Sequence, residues 1–276
     1  MAGWSGGRVN GNMQLTDAQW ARIAPLMPTP RGNCKLPARQ VLEGWRFITT
    51  EGCSWRALPA RYGSWHTVYM RGRRWIDRGV LERVFAALQR EELEAQLEQR
   101  GPDRPLRVAI DSTIVQVPQD GTGAPAKRGA GEKGRQAIGR SRGGLTTKLH
   151  ALVLDDRLPL TMTLTPGHWG DAPWGRWLLE RLGPQAGQPQ LLADRADEGD
   201  QLRALAADLG WELVTPPKTN RVTPWPLNRV AYRARNAIER YFGRIKRLRG
   251  VATRYHKLAR VYFNQILLAC IHFMTK

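Results

Sequence analysis

An α/β core behind an all-helical leader is the architecture that the sequence predicts, and two observations predict it. Residues 13–100 hold four stretches with apolar residues at helical spacing. From residue 105 the pattern becomes strand, strand, strand, helix, strand, helix, strand, helix.

Residues 1–12, MAGWSGGRVNGN, are Gly-rich and read as a flexible lead-in, with Met13 a second candidate start. Thr16 and Gln19 then stand at capping-box spacing, where each side chain can accept the other's backbone N–H. Trp20, Ile23 and Met27 give that helix an apolar stripe, and Pro28 stops it. Further helices are expected over 37–50, 64–78 and 80–99, the first of these opening on Pro37. Together they are expected to form a helical region over 13–100, DNA-binding on one reading of its third helix. Helix 64–78, SWHTVYMRGRRWIDR, carries Arg71, Arg73, Arg74 and Arg78 beside Trp65, Tyr69 and Trp75. It reads equally as the DNA-contacting helix of a helix-turn-helix-like unit or as a solvated basic face over an aromatic core.

Beyond residue 105, LRVAI is a buried strand ending at Asp111. The basic, Gly-rich loop 119–144 follows, with Lys127, Arg128, Lys133, Arg135, Arg140 and Arg142. It is expected to be disordered until it folds against phosphate. TTKLHALVL and LPLTMTLTPG form a hairpin across DDR, and DAPWGRWLLERLG is a helix with Asp171 as N-cap. PQLLAD is a short buried strand ending at Asp194, EGDQLRALAADLG a helix stopped by Gly210, and WELVTPP the last strand. A long helix and the apolar RVYFNQILLACIHFM close the chain; the latter reads as core packing before subunit pairing. This order is that of a ribonuclease-H-like catalytic core over 105–276, a mixed five-stranded sheet flanked by helices.

Composition narrows the partners. The 276 residues carry a formal charge of +19, with a pI near 10.9. That balance favours double-stranded DNA, with an anionic membrane surface the weaker alternative. No apolar run reaches the ~18 residues of a spanning helix; the longest, 261–274, is broken by Asn264, Gln265 and His272. The N-terminus lacks the apolar core of a signal peptide. Cys34, Cys53 and Cys270 make neither a disulfide framework nor a zinc pattern and suit a reducing cytoplasm. Eleven tryptophans argue against disorder.

The chemistry is most legible in YRARNAIERYFGRIK, residues 232–246. From residue 213 to the end there are fourteen Lys or Arg side chains and one acid, Glu239. On a helix, Tyr232, Arg235, Glu239 and Lys246 fall within an arc of roughly 60°, beside an apolar stripe of Ala231, Ile238, Phe242 and Ile245. An intrahelical Arg235–Glu239 pair would account for a lone acid. It does not account for the absence of any other. Asp111 and Asp194 end strands expected to lie side by side, next to the path of this helix. Three converging carboxylates repel unless divalent cations lie between them. Mg²⁺ or Mn²⁺, taking oxygen ligands, suits the set. Two such ions would clamp the attacking and leaving oxygens of a phosphoryl transfer. Arg235 and Lys246 would then rest on neighbouring phosphates. Trp169, Trp211 and Trp225 are each candidates to stack a flipped base if the second strand is cut through a hairpin.

With these residues in view, the chain resembles bacterial DDE transposases of the insertion-sequence-four and insertion-sequence-five kind, from about residue 13 to the end. GCSWRALPARYGSWHTVYMRGRRW (52–75), AIDST (109–113), GRSRGGLTTKLHAL (139–152) and RNAIERYFGRIKRLRGVATRY (235–255) carry the likeness. The signature Tyr-x2-Arg-x3-Glu-x6-Lys is complete in Tyr232, Arg235, Glu239 and Lys246. Gly167 and Asp171 match a loose Gly-x-x-x-Asp, while Asp197 stands where an aromatic is usual. The resemblance implies that Asp111, Asp194 and Glu239 are catalytic metal ligands. It implies action on the terminal inverted repeats of a mobile element, a homodimer on DNA, and a bacterial, cytoplasmic, nucleoid-associated protein. It places Tyr232, Arg235, Lys246, Arg71, Arg73, Arg74, Arg140, Arg142 and Lys148 at DNA. The alternatives are a DNA-binding regulator or inactive relict, and a nuclease that cuts without strand transfer.

Overall fold

The computed structural model describes residues 14–29, 32, 34–101, 104–124, 136–195 and 199–275. The expected lead-in 1–12, Met13, Lys127, Arg128, Lys133, Arg135 and Asp197 lie outside the described residues.

Four helices lead: α1 (Asp17–Ile23), α2 (Ala38–Glu51), α3 (Trp65–Asp77) and α4 (Val80–Arg100). Both capping-box bonds form at α1: Gln19 N–H donates to Thr16 Oγ1 at 3.2 Å and Thr16 N–H to Gln19 Oε1 at 2.9 Å. Between α3 and α4 the chain reverses through Gly79 at φ 63°, a left-handed conformation that costs a glycine little.

The sheet contains β1 (Arg107–Gln116), β2 (Gly139–Ser141), β3 (Gly144–Val153), β4 (Pro159–Pro166), β5 (Gln190–Leu192) and β6 (Glu212–Val214). β1 pairs antiparallel with β3, and β3 with β4; β1 pairs parallel with β5, and β5 with β6. The spatial order β4-β3-β1-β5-β6 is ribonuclease-H-like. Helices α5 (Ala172–Leu182) and α6 (Asp200–Asp208) follow β4 and β5, and α7 (Arg229–Tyr232), α8 (Asn236–Ile245), α9 (Arg249–Ala252) and α10 (Ala259–Met274) follow β6.

Three details differ from expectation. The sheet has a sixth strand, because β2 pairs with the start of β3 inside what reads as one continuous loop. Ser141 drives this turn: its Oγ accepts Gly143 N–H at 3.3 Å and the Thr146 hydroxyl at 3.0 Å. β1 does not end at Asp111, since its register with β3 continues to Gln116↔Thr146. The long helix after β6 is interrupted by a 3-10 turn over Arg233–Arg235. At the β3–β4 turn, Asp155 Oδ1 accepts Arg157 and Leu158 N–H at 2.7 and 2.8 Å, which closes the hairpin expected at DDR.

Strand alternation splits the interior. Val108 and Ile110 pack with Leu178, Leu179 and Leu191 on the α5 side, while Ala109 and Val115 join a core with Ile238, Phe242 and Ile245 of α8. That second core runs on through α10, which is buried along nearly its whole length, to α2 and α4. The leading helices and the sheet therefore share one interior.

α2 and α3 pack closely. Trp45 Nε1 donates to Val68 O at 3.0 Å, and its indole lies against Gly72 with no room for a side chain. Gly72→Ala should lower unfolding stability by about 1–3 kcal/mol, as overpacked cores do. Urea denaturation measures this, and an unchanged midpoint would contradict the packing.

Candidate active site

β5 stops pairing with β1 at Ala109↔Leu192, so Asp111 lies just past the point where β1 loses that neighbour. Asp194 follows β5 by two residues and opens at the same end. Odd-numbered positions of β1 face α8, and Asp111 is one of them. The 3-10 turn before α8 brings Arg235 over the strand. Its Nη1 lies 3.1 Å from Asp111 Oδ2 and its Nη2 lies 2.8 Å from Glu239 Oε1. Asn236 Nδ2 donates to Glu239 Oε2 at 3.2 Å. Asp111 Oδ1 accepts Ser112 N–H at 2.7 Å.

Thus Arg235, expected on a DNA phosphate, instead bridges two carboxylates from distant parts of the chain. The intrahelical pair with Glu239 is present, but it is half of a larger arrangement. Burial pushes the Asp111 carboxyl up; Ser112 N–H and Arg235 pull it back, and the charge of Asp194 pushes it up again. Burial works to lower the Arg235 guanidinium, but Tyr232, Asp111 and Glu239 outweigh it and raise it. Glu239 is the most open of the three members, with 53% of its side chain exposed against 28% for Asp111 and 15% for Arg235.

Among the described residues, no three of His, Cys, Asp and Glu stand close enough to hold one metal ion. Asp111 and Glu239 are drawn to a common cation, and Asp194 is within electrostatic reach of Asp111. Their donors are hard carboxylate oxygens, which fit a divalent ion of the Mg²⁺ type.

The even-numbered face of β1 carries a second polar cluster that sequence reasoning missed. Asp171 occupies the N-cap position of α5, as expected, but its side chain makes no cap hydrogen bond. It accepts instead from Lys148 Nζ at 2.9 and 3.0 Å and from Ser112 Oγ at 2.8 Å. Lys148, expected to contact DNA, also donates to Trp169 O at 2.8 Å and is 12% exposed. His150 lies beside this pair, hydrogen-bonded to Thr165 Oγ1 at 2.8 Å and stacked on Trp174. The signal available was the Gly167–Asp171 spacing together with Lys148 and His150 two residues apart on one strand face.

The remaining candidates divide by exposure. Lys246 Nζ donates to Ile114 O at 2.8 Å, and burial lowers its pKa. Arg71 donates to Leu36 O and stacks on Trp75, and Arg73 lies 3.6 Å from Asp77; both are engaged within the helical region. Arg74, Arg140 and Arg142 are exposed, and Tyr232 is half-buried. Of the tryptophans, Trp211 is 3% exposed and donates to Gly183 O, so it stacks nothing from outside. Trp225 lies between the Arg203 and Arg221 guanidinium groups, and Trp169 is stacked on Trp174.

Comparison with known proteins identifies the lineage. Residues 15–85 match the family described as "Putative transposase of IS4/5 family", and residues 102–224 match "Transposase DDE domain". Over 131 residues the chain is 37% identical to the "Putative transposase for insertion sequence element IS6501" of Brucella ovis, covering 46% of this chain and 95% of that one. The chain belongs to the IS4/5 transposase family. An insertion element IS402 protein of Burkholderia cepacia is 32% identical over 112 residues, 37% of this chain and 73% of that one. A Mos1 transposase paired-end complex is similar at 13% identity and a TM-score of 0.27, over 81% of this chain and 80% of that one. The DDE match encloses Asp111 and Asp194 and ends before Glu239. DDE transposases depend on divalent metal. No helix among the described residues is long and apolar enough to cross a membrane.

The buried His150 of this transposase should make its stability sensitive to acid. Burial pushes the imidazole from 6.5 down to about 4; Asp171 pulls it up and Lys148 down. The folded state thus keeps the ring neutral while the unfolded chain takes up a proton below about 6.5. Stability is whole above that pH and falls as the pH drops towards 4, by on the order of 3 kcal/mol. His150→Gln should flatten the decline in urea midpoint between pH 7 and 4; an equally steep decline would acquit His150.

Proposed function

We propose that Asp111, Asp194 and Glu239 are the metal ligands of this transposase, and that it cleaves element ends and joins the freed 3′-hydroxyls to target DNA. One observation carries this: Asp111 and Glu239, from the first strand and a late helix of the core, are brought to a single cation, with Asp194 opening at the same sheet end. The ligand set suits Mg²⁺ or Mn²⁺, two ions as the family resemblance implies. Bound there, divalent metal lowers the pKa of a water or 3′-hydroxyl and offsets charge on the leaving oxygen.

The protein's own groups prepare this. β1 and its pairing with β5 hold Asp111 and set where Asp194 emerges. Burial of Asp111 makes its carboxylate costly without a cation, so the site attracts one. Glu239, the most open acid, can turn to a ligand without unpacking α8. Arg235, once released, carries its charge to a neighbouring phosphate, and Lys246, fixed against Ile114 O, offers another. The exposed Arg74, Arg140 and Arg142 hold the duplex backbone, and Tyr232 lies at the border of the site. The working form is a homodimer, since two ends must be paired, and it acts at bacterial DNA.

The test uses labelled duplexes carrying the DNA that flanks the reading frame. Asp111→Asn, Asp194→Asn and Glu239→Gln should each reduce Mg²⁺-dependent cleavage by about a hundredfold or more, with gel-shift affinity kept within a few-fold. Cleavage by Glu239→Gln at the unaltered rate removes that residue from the chemistry. Cleavage without joined product indicates a nuclease; binding with neither indicates a DNA-binding relative that has lost its chemistry.

A further inference from the structure

The three acids are not held alike. Asp111 stands within β1, paired with Ala151 of β3, and Glu239 stands within α8. Asp194 lies two residues past the end of β5, outside any helix or strand. A carboxylate on such a segment needs support from other elements if its position is to be fixed.

That support comes from the end of β6. The β5–β6 ladder runs to Leu192↔Val214 and adds one further bond, from Ala193 N–H to Val214 O at 3.2 Å. On the β6 side every second residue donates, beginning with Glu212 N–H to Pro189 O at 2.8 Å. After residue 214 the next in turn is Pro216, which has no N–H to give. Backbone pairing therefore stops short of Asp194, and a side chain takes over. Thr215 Oγ1 donates to Asp194 O at 2.7 Å. Thr215 is fully buried, so water does not compete for this bond.

Thr215 is in turn braced from outside. Trp225, on the segment between β6 and α7, donates its Nε1–H to Thr215 O at 2.8 Å. Two cations grip its indole: Arg203 of α6 lies 3.6 Å from the ring centroid and Arg221 lies 4.4 Å from it. Arg221 also pairs with Asp200 at the start of α6. A ring held between two guanidinium groups is not free to stack a flipped base. Its indole N–H points instead to the residue that holds Asp194.

We propose that Thr215, braced by Trp225, is a positioning residue for Asp194: it fixes the main chain of this acid at the sheet end and so lowers the concentration of divalent ion that the acids need. The inference rests on Asp194 as a metal ligand and adds the residues that aim it. Both Thr215 and Trp225 act through Asp194. A bond that served the fold alone would change stability and leave the metal dependence where it was.

Mn²⁺ titration of the full chain on a duplex carrying the DNA that flanks the reading frame decides this. Free Mn²⁺ is followed by electron paramagnetic resonance, with cleavage rates recorded in parallel. Thr215→Val removes the hydroxyl and keeps the branched shape. It should raise the Mn²⁺ dissociation constant by about tenfold, with cleavage at saturating Mn²⁺ within about twofold of the unaltered rate. Thr215→Ser keeps the donor and should bind Mn²⁺ within about twofold of the unaltered protein. Trp225→Phe keeps a ring between the arginines, loses the Nε1 donor and should raise the constant a few-fold. An unchanged constant in Thr215→Val overturns the proposal, as does a rise in Thr215→Ser as large as that in Thr215→Val. Trp225 is half-buried, so Trp225→Phe carries the test if Thr215→Val does not fold, and an unchanged constant there overturns the proposal as well. Asp194→Asn is the reference. If it binds Mn²⁺ as tightly as the unaltered protein, Asp194 is no ligand, and that part of the proposed function falls together with the positioning role. If it binds weakly while Thr215→Val does not, the positioning role alone falls.

Discussion

Two carboxylates cannot share a half-buried corner without a cation between them, and Arg235 is that cation. Its guanidinium reaches Asp111 on β1 and Glu239 on α8 at once. The 3-10 turn over Arg233–Arg235 makes this possible, because it brings the arginine over the strand just before α8 begins. The distance between the acids is thereby set by one side chain rather than by the backbone of either element.

β1 is the rail on which the chemistry is arranged. Its alternation sends Asp111 to the α8 side and Ser112 to the α5 side, where Asp171, Lys148 and His150 are gathered. Adjacent residues therefore belong to different polar clusters on opposite faces. Ser112 Oγ donates to Asp171, so the Asp171 cluster is tied to the strand that carries Asp111. The far end of the same strand anchors residue 254, whose N–H donates to Gln116 O. Asp111 and the anchor of the Asp171 cluster are thus held by one ten-residue strand.

The leading helices are joined to this core through α10. Its buried face meets α2 and α4 on one side and α8 and β4 on the other. The helical region therefore packs on the same interior that supports α8 and Glu239. Within that region Gly72 lies against Trp45 with no room for a side chain.

Much of the fold was legible in local chemistry. The Thr16–Gln19 cap, the glycine that stops α6 and the hairpin at Asp155 depend on near neighbours, and each formed as the sequence implied, whereas α1 stops at Ile23, ahead of the expected Pro28. The short β2 was hidden because three residues have no periodicity to show. That Arg235 and Glu239 share a helix face was legible from helical spacing. What Arg235 touches was not, since Asp111 lies far away in sequence and only the packing of α8 on β1 brings them together. Asp171 looked like a cap and became an ion-pair partner because Lys148 and Ser112 reach it across the sheet. Sequence by itself determined which residues can cap, turn, pack or carry charge, because those properties are local. Tertiary structure decided which charges meet, because electrostatic partners are chosen by distance in space.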